Sequence, residues 1–530
     1  MESTQIKGIF IVVIAAMFAV YLGVAAATAQ TEAIAWVAGF MGIAFILAMG
    51  KNIWMLIPAT TSLIGSINAL PGSPPVWGVA AAVTAMMYIL RVAMRRSNFV
   101  FRLDWVDLAI FLQVLAVGQA WARNPAGVML LGGDSAGGKS YFVFSAAFVA
   151  YFCLAITPAT FKQIKIALIL TIALMLGDGM ISIVGDWVPS IASAIMPVYS
   201  NANFNVATTG SADWNLSEER GGGGFSILGR AIVIPLLCLY RPLSCFSPFR
   251  PVLFALTTGG GIMMLLSGFR SGAAYLGAVF VMSALIRRRF MDIAVMGLLG
   301  VLGLALLMIS GQLRSLPFGV QRILSVLPVD VSAAARVDAE NSSEWRFEMW
   351  RLALFTDRYI RNKAFGDGFG ISAREMQAKL DQTFGHSFQN FDIQDQMLAT
   401  GSYHGFHVET IRFTGVFGLA MALLGMAILF RKSLQLVRFY RGREEFPWVA
   451  YVCIPFLLYP FWSMLVFGAY RFEFPQFLAL AGLLKMLDNL RLAELASATE
   501  QAPKEAPAPV RGNRLPAPAF ASSAPRTRGA

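Results

Sequence analysis

The chain has 530 residues, 57% of them hydrophobic and 14% charged, with a formal net charge of +12 at pH 7. Soluble globular chains carry about 25% charged residues, and a mean hydropathy of +0.63 excludes a water-soluble fold. The charge is set mostly by membrane topology, so nucleic-acid binding is not implied.

Apolar stretches recur from residue 9 to residue 490. They make about fourteen candidate spans, each long enough to cross a bilayer: 9–28, 32–49, 52–69, 75–94, 105–121, 140–157, 164–184, 223–240, 250–267, 271–286, 291–309, 406–429, 448–468 and 472–490. The first has no small-residue cleavage site followed by a soluble domain and reads as a retained helix. The expected fold is all-α, a polytopic membrane helix bundle. With the N-terminus inside, Lys51, Arg91, Arg95, Arg96, Arg102, Arg241, Arg287, Arg288, Arg289, Arg431 and Lys432 fall in inner loops or at their edges, while the short outer loops are almost without base. Cys153, Cys238 and Cys453 fall in spans and Cys245 in an inner loop, so no disulfide framework is implied. No internal repeat is visible, which disfavours inverted-repeat transporters.

The chain divides into a transmembrane bundle over 1–309, a large extracytoplasmic loop domain over 310–405, spans over 406–494 and a Pro/Ala-rich cytoplasmic tail over 495–530. The tail is too poor in large apolar residues to bury a core and is expected to be disordered. "GGDSAGGKS" carries Gly133, Gly138, Lys139 and Ser140 in the spacing of a phosphate-binding loop. It falls in an outer loop, where ATP is absent, and reads as a flexible turn. In the large loop, Leu313, Leu316, Val320, Ile323, Leu324 and Leu327 fall at helical spacing with Gln312, Arg314, Gln321 and Arg322 opposite, predicting an amphipathic piece on the outer leaflet. Asn341 with Glu344 predicts the start of the next helix, and "AFGDGFG" ends it.

Six bases stand against the positive-inside pattern: Arg220, Arg270, Arg346, His404, Arg412 and Arg471. Headgroup contact accounts for any one of them. A group of them at one membrane face predicts an anion site, because guanidinium binds phosphate bidentately and never loses its charge. His404 and His407 are two of only three histidines. They could share a metal, yet no Cys or acidic cluster completes a site and "HVETIR" is not H-E-x-x-H. For His407 a structural hydrogen bond is expected. His386 reads as a solvated loop residue. Asp178, an acid within a span, is a functional candidate by default, but its flanking glycines fit a helix break equally well.

"SGFRSG", "SSEWRFEMW", "AFGDGFG" and "YHGFHVETIRFTGVFG" follow one another in this order. In that order they resemble the O-antigen ligase and polysaccharide polymerase superfamily over roughly 220–430. Its members commonly show R-x-x-x-W, matched by Arg346 and Trp350, and a glycine turn, matched by Gly366–Gly370. They also show a histidine about eleven residues before Gly-x-x-Gly, matched by His404 with Gly415 and Gly418. Where the family often has Asn after that histidine, this chain has Gly405. The resemblance implies a C-type-glycosyltransferase-like membrane fold with no nucleotide, metal or other cofactor. It implies glycan transfer from undecaprenyl pyrophosphate to a saccharide or glycolipid hydroxyl outside the bacterial inner membrane, with polysaccharide-assembly proteins as further partners. His404 is then the expected base, Arg270, Arg346 and Arg220 the pyrophosphate ligands, and His407, Arg412 and Arg471 secondary candidates. A flippase or a small-anion, bicarbonate-type transporter is the alternative. Transporters, though, gather polar groups near the bilayer midplane.

Overall fold

The computed structural model describes residues 48–96, 99–126, 135–200, 223–372 and 401–501, with positions 42, 46, 397 and 398. Among these residues the protein is mostly helical, and its only strands are two-residue pairs. Seven helices are long and apolar enough to cross a membrane: α2 (Val76–Ala93), α3 (Trp105–Arg123), α4 (Gly138–Ala155), α5 (Phe161–Trp187), α10 (Phe290–Ile309), α13 (Phe406–Tyr440) and α14 (Phe446–Leu465). Three apolar helices are shorter: α7 (Gly223–Leu239), α8 (Pro251–Leu266) and α9 (Arg270–Ile286). The remaining helices are α1 (Leu56–Thr61), α6 (Pro189–Ile195), α11 (Phe318–Leu324), α12 (Ala333–Phe355) and α15 (Glu473–Gln501).

The core is the seam between α3, α4, α13, α14 and α15. Phe406, Phe413, Phe456, Phe474 and Tyr470 are fully buried there. Their rings pack edge to face or stacked, with Phe406 5.0 Å from Phe474 and Phe369 4.9 Å from Phe413. Such aromatic pairs add to the stabilisation from buried area alone.

The long helix α13 is broken at Gly415, whose φ of 77° and ψ of −179° no helix accommodates. The break docks the glycine turn. The Asp367 and Gly368 amides donate to the Arg412 and Phe413 carbonyls at 2.9 and 3.0 Å, and the Val416 and Phe417 amides donate to the Lys363 and Ala364 carbonyls at 2.8 and 3.0 Å. Backbone groups freed inside a membrane helix must find such partners. Glycine is required on both sides of the contact: a Cβ on Gly415 would collide with the Ala364 carbonyl and Phe365, and one on Gly366 would sit 2.5 Å from Phe413 and Thr414. Gln119, Arg123 and Asn124 at the end of α3 hold the same turn through the carbonyls of Phe365, Gly366, Asp367 and Gly370.

Several elements differ from the sequence expectation. Over 52–69 the chain forms a 3₁₀ turn, the short α1 and the strand β1 (Ser66–Ile67), which pairs antiparallel with β3 (Tyr199–Ser200). Two spans, 9–28 and 32–49, lie wholly or almost wholly outside the described residues. Ser135–Ala136 form β2, pairing antiparallel with β4 (Ile371–Ser372), and Gly138 opens α4. The second half of the phosphate-loop-like stretch is thus fixed to the glycine turn rather than flexible. α12 begins at Ala333, with the Ser332 hydroxyl accepting from the Ala335 amide, so Asn341 is mid-helix and no cap. The amphipathic stretch is a 3₁₀ turn followed by the short α11, and its Gln321 and Arg322 are buried in protein rather than turned to water. α15 continues to Gln501, past the expected tail boundary; residues 502–530 lie outside the described residues.

Candidate functional site

The segment before α13 turns sharply. His404 has a φ of 50°, in the left-handed region, where histidine is enriched among the few non-glycine residues found there. The turn is held from α12, where the Trp350 indole N–H donates to the Tyr403 carbonyl at 2.8 Å. A Cβ at Gly405 would come within 2.7 Å of the Trp350 ring. That contact leaves no room for a side chain at this position. The His404 ring is half-buried, 5.1 Å from Phe467 and 6.3 Å edge-on from Trp345.

Arg346 lies one helical turn before Trp350, so both reach the same side of α12. Its Nη1 donates to the Val466 carbonyl at 3.0 Å, while its buried Nε has no partner among the described residues. Arg270 opens α9 and reaches α12, its Nη2 donating to the Ala339 carbonyl at 3.0 Å and the Ser343 hydroxyl at 3.3 Å. Neither arginine forms an ion pair among the described residues. Asp338, within electrostatic reach of Arg270, pairs with Arg322, whose Nη1 also donates to the Gly268 carbonyl at 3.0 Å. Arg322 thus ties the "SGFR" turn to α12.

These charges feel one another. Burial, and then the neighbouring Arg322, lower the pKa of Arg346, although a guanidinium stays charged. Burial, and then the positive Arg346, push the His404 imidazole down from 6.5 to about 4. His404 is therefore a neutral but weak base. An anion beside Arg346 would offset that repulsion and raise its basicity.

The structure brings together Arg270, Arg346 and His404 and sets the other predicted residues apart. Arg412 is 3% exposed and pairs with Asp367 at 2.7 Å, fixing the glycine turn. Arg471 stacks over Phe413 at 4.7 Å and lies within electrostatic reach of Glu409. Glu409 is buried and accepts the Tyr470 amide at 2.8 Å, tying the α14–α15 connection to α13. His407 packs edge-on against Trp350 at 4.8 Å, and its buried Nδ1 has no partner among the described residues, so it shows aromatic packing in place of the expected structural hydrogen bond. Arg220 and His386 lie outside the described residues. Asp178 is buried and accepts from the Tyr199 hydroxyl at 2.7 Å, joining α5 to β3.

No protein-family model matches this chain, and no curated protein does either. The function therefore rests on the site itself. Sequence reasoning missed Arg322 and Trp345. Helical periodicity put Arg322 on the solvent side; the only available hint was the complementary charge of Asp338.

Proposed function

We propose that this protein is a membrane glycosyltransferase of the O-antigen ligase or polysaccharide polymerase type. It would move a glycan from undecaprenyl pyrophosphate to a saccharide or glycolipid hydroxyl at the outer face of a bacterial inner membrane. The observation that carries the reading is the grouping of Arg270 and Arg346, which form no ion pair among the described residues, beside a neutral half-buried histidine. Unpaired cations at a low-dielectric boundary stabilise a departing pyrophosphate far more than they would in water. His404 takes the proton from the acceptor hydroxyl as that oxygen attacks the anomeric carbon, and the anomeric C–O bond breaks with its electron pair leaving on the pyrophosphate. In this reading about fourteen spans form a fold related to the C-type glycosyltransferases, with 310–405 outside. The transfer needs no nucleotide, metal or other cofactor.

The test is to supply the purified full-length protein with an undecaprenyl-pyrophosphate-linked glycan and a saccharide acceptor, without nucleotide or added metal. A longer or transferred glycan with release of undecaprenyl pyrophosphate is expected. Failure of the intact, folded protein across a panel of donors and acceptors would overturn the proposal.

A further inference from the structure

Arg322 belongs to α11, yet its side chain reaches two of the elements that build the anion site, and the reaction proposed above gives it no role. It is 8% exposed, pairs with Asp338 on α12, and donates through Nη1 to the Gly268 carbonyl at 3.0 Å. Gly268 has a φ of 70° and lies in the turn that delivers Arg270. α11 is seated against that turn, since a Cβ on Gly319 would lie 2.9 Å from the Leu266 carbonyl and 3.0 Å from Gly268. Its Gln321 accepts from the Ser332 amide at 2.9 Å and so fixes the start of α12. Asp338 directly precedes Ala339, whose carbonyl takes the Arg270 guanidinium. It lies within electrostatic reach of Arg270, as Arg322 does of Arg346. A carboxylate therefore stands near two cations that form no ion pair among the described residues, and Arg322 engages it.

We propose that Arg322 is a positioning residue that sets the charge of the anion site: it holds the Asp338 carboxylate away from Arg270 and Arg346, leaving both guanidiniums open to the ligand. The inference rests on the reading of those two arginines as a pyrophosphate site. A carboxylate that reached Arg270 would compete with phosphate oxygens for the same N–H fork. Arg322 prevents this by charge and by geometry. It offers Asp338 a close counter-ion shielded from water, where pairing is stronger than at an open surface. Its bond to the Gly268 carbonyl fixes the turn carrying Arg270 against α12. The Arg322–Asp338 pair is neutral in sum, so the net positive charge of the site is that of Arg270 and Arg346.

Binding of inorganic pyrophosphate to the full-length protein in zwitterionic nanodiscs, read by isothermal titration calorimetry beside the melting temperature, tests this. Arg322→Gln leaves Asp338 uncompensated and should weaken binding by about tenfold, the order expected of one unit charge close to a half-buried site. Asp338→Asn separates charge from structure. It breaks the same pair, so the melting temperature should fall, yet pyrophosphate should bind about tenfold tighter. A pair that served only the fold would lower stability and affinity together. Should Arg322→Gln fail to fold, the double variant Arg322→Gln, Asp338→Asn, which buries no lone charge, is expected to bind at about the wild-type level. Binding weakened by Asp338→Asn, a double variant that binds more weakly than the wild type, or a wild type that binds no pyrophosphate would overturn the inference. The two readings fail separately. Pyrophosphate binding that follows this pattern in a protein that never transfers a glycan would sink the glycosyltransferase reading alone. Glycan transfer with a donor KM unchanged in both Arg322→Gln and Asp338→Asn would sink the role of Arg322 alone.

Discussion

At one end of α13, Lys432 lies 2.8 Å from Asp488 and 3.4 Å from Asp104, with Lys432 8% and Asp488 1% exposed at the side chain. Lys485 pairs with Asp107, Arg491 reaches Asp488 at 2.7 Å, and the Tyr151 hydroxyl donates to Asp107 at 2.7 Å. Asp104 and Asp107 are at the same time the reciprocal cap that starts α3. At the other end of α13, Arg270 and Arg346 donate to carbonyl and hydroxyl oxygens, and neither forms an ion pair among the described residues, Asp338 acting on Arg270 only at a distance. The first cluster is complete: each buried charge is matched within the protein, and four helices are locked together by it. The second is complete as architecture but not as electrostatics. Half-buried cations without a close counter-charge are costly, and the proposed anionic donor would supply the missing charge.

The largest expected effect belongs to the open cluster. His404→Ala should lower glycan transfer by about 100- to 10,000-fold, with folding and donor binding intact. His407→Ala should cost far less, because that ring packs on Trp350. Comparable losses in transfer rate for both variants would contradict the assignment of the base.

The closed cluster should respond in stability rather than rate. Asp488→Asn leaves the Lys432 ammonium with only the longer contact to Asp104, and loss of one partner of a buried pair costs about 3–5 kcal/mol. Thermal unfolding in detergent should show a clear drop in melting temperature. An unchanged melting temperature would mean that the lattice is not holding the helices.

Arg270→Lys sharpens the contrast further. Lysine keeps the charge but loses the bidentate fork, so transfer should fall by about tenfold or more, by the strength of a charge-assisted hydrogen bond, with no change in melting temperature. Transfer near the wild-type rate would make Arg270 a headgroup contact.

Gly405→Asn tests the local packing. Any side chain there meets Trp350 at 2.7 Å, and overpacking costs about 1–3 kcal/mol. The variant should lose stability and misplace His404 together. If it behaves as the wild type, the close approach of Trp350 is not what selects glycine.

The smallest effect is in pH. The His404 pKa is depressed to about 4 by burial and by Arg346, so the neutral base persists well below 6.5. The acid limb of kcat/KM, which reports the free enzyme, should fall near pH 4, and that of kcat, with the anionic donor bound, should lie higher. The depressed value also means that the unfolded chain takes up this proton first. The stability contributed by neutral His404 is therefore lost as pH falls from about 6.5 to 4. A kcat/KM limb at 6.5 would place His404 in water.

Helicity was legible in the sequence because apolar runs are a strong signal, and the site residues Arg270, Arg346 and His404 stood out as bases against the topological charge pattern. The rest is tertiary. Periodicity reads through Gly415, since nothing local says that the Lys363–Gly368 turn will enter α13 and take up its carbonyls. Arg322 and Gln321 look solvent-facing on a helical wheel, but α11 is wedged against α8 and α12, so its polar side faces protein. Asn341 and Glu344 carry a cap signature inside a helix that starts earlier, at the stronger Ser332. The ion lattice joins Asp104 to Lys432 and Asp488, positions too far apart along the chain for local patterning to pair.

Glycan transfer by the Arg346→Gln variant, assayed beside the wild type with an undecaprenyl-pyrophosphate-linked donor and no nucleotide, tests most directly whether the open cluster serves a ligand rather than the fold. The account predicts that the variant keeps the wild-type melting temperature and forms no product while the wild type transfers. A variant that transfers at the wild-type rate, or one that loses its fold as Asp488→Asn is expected to, would contradict it.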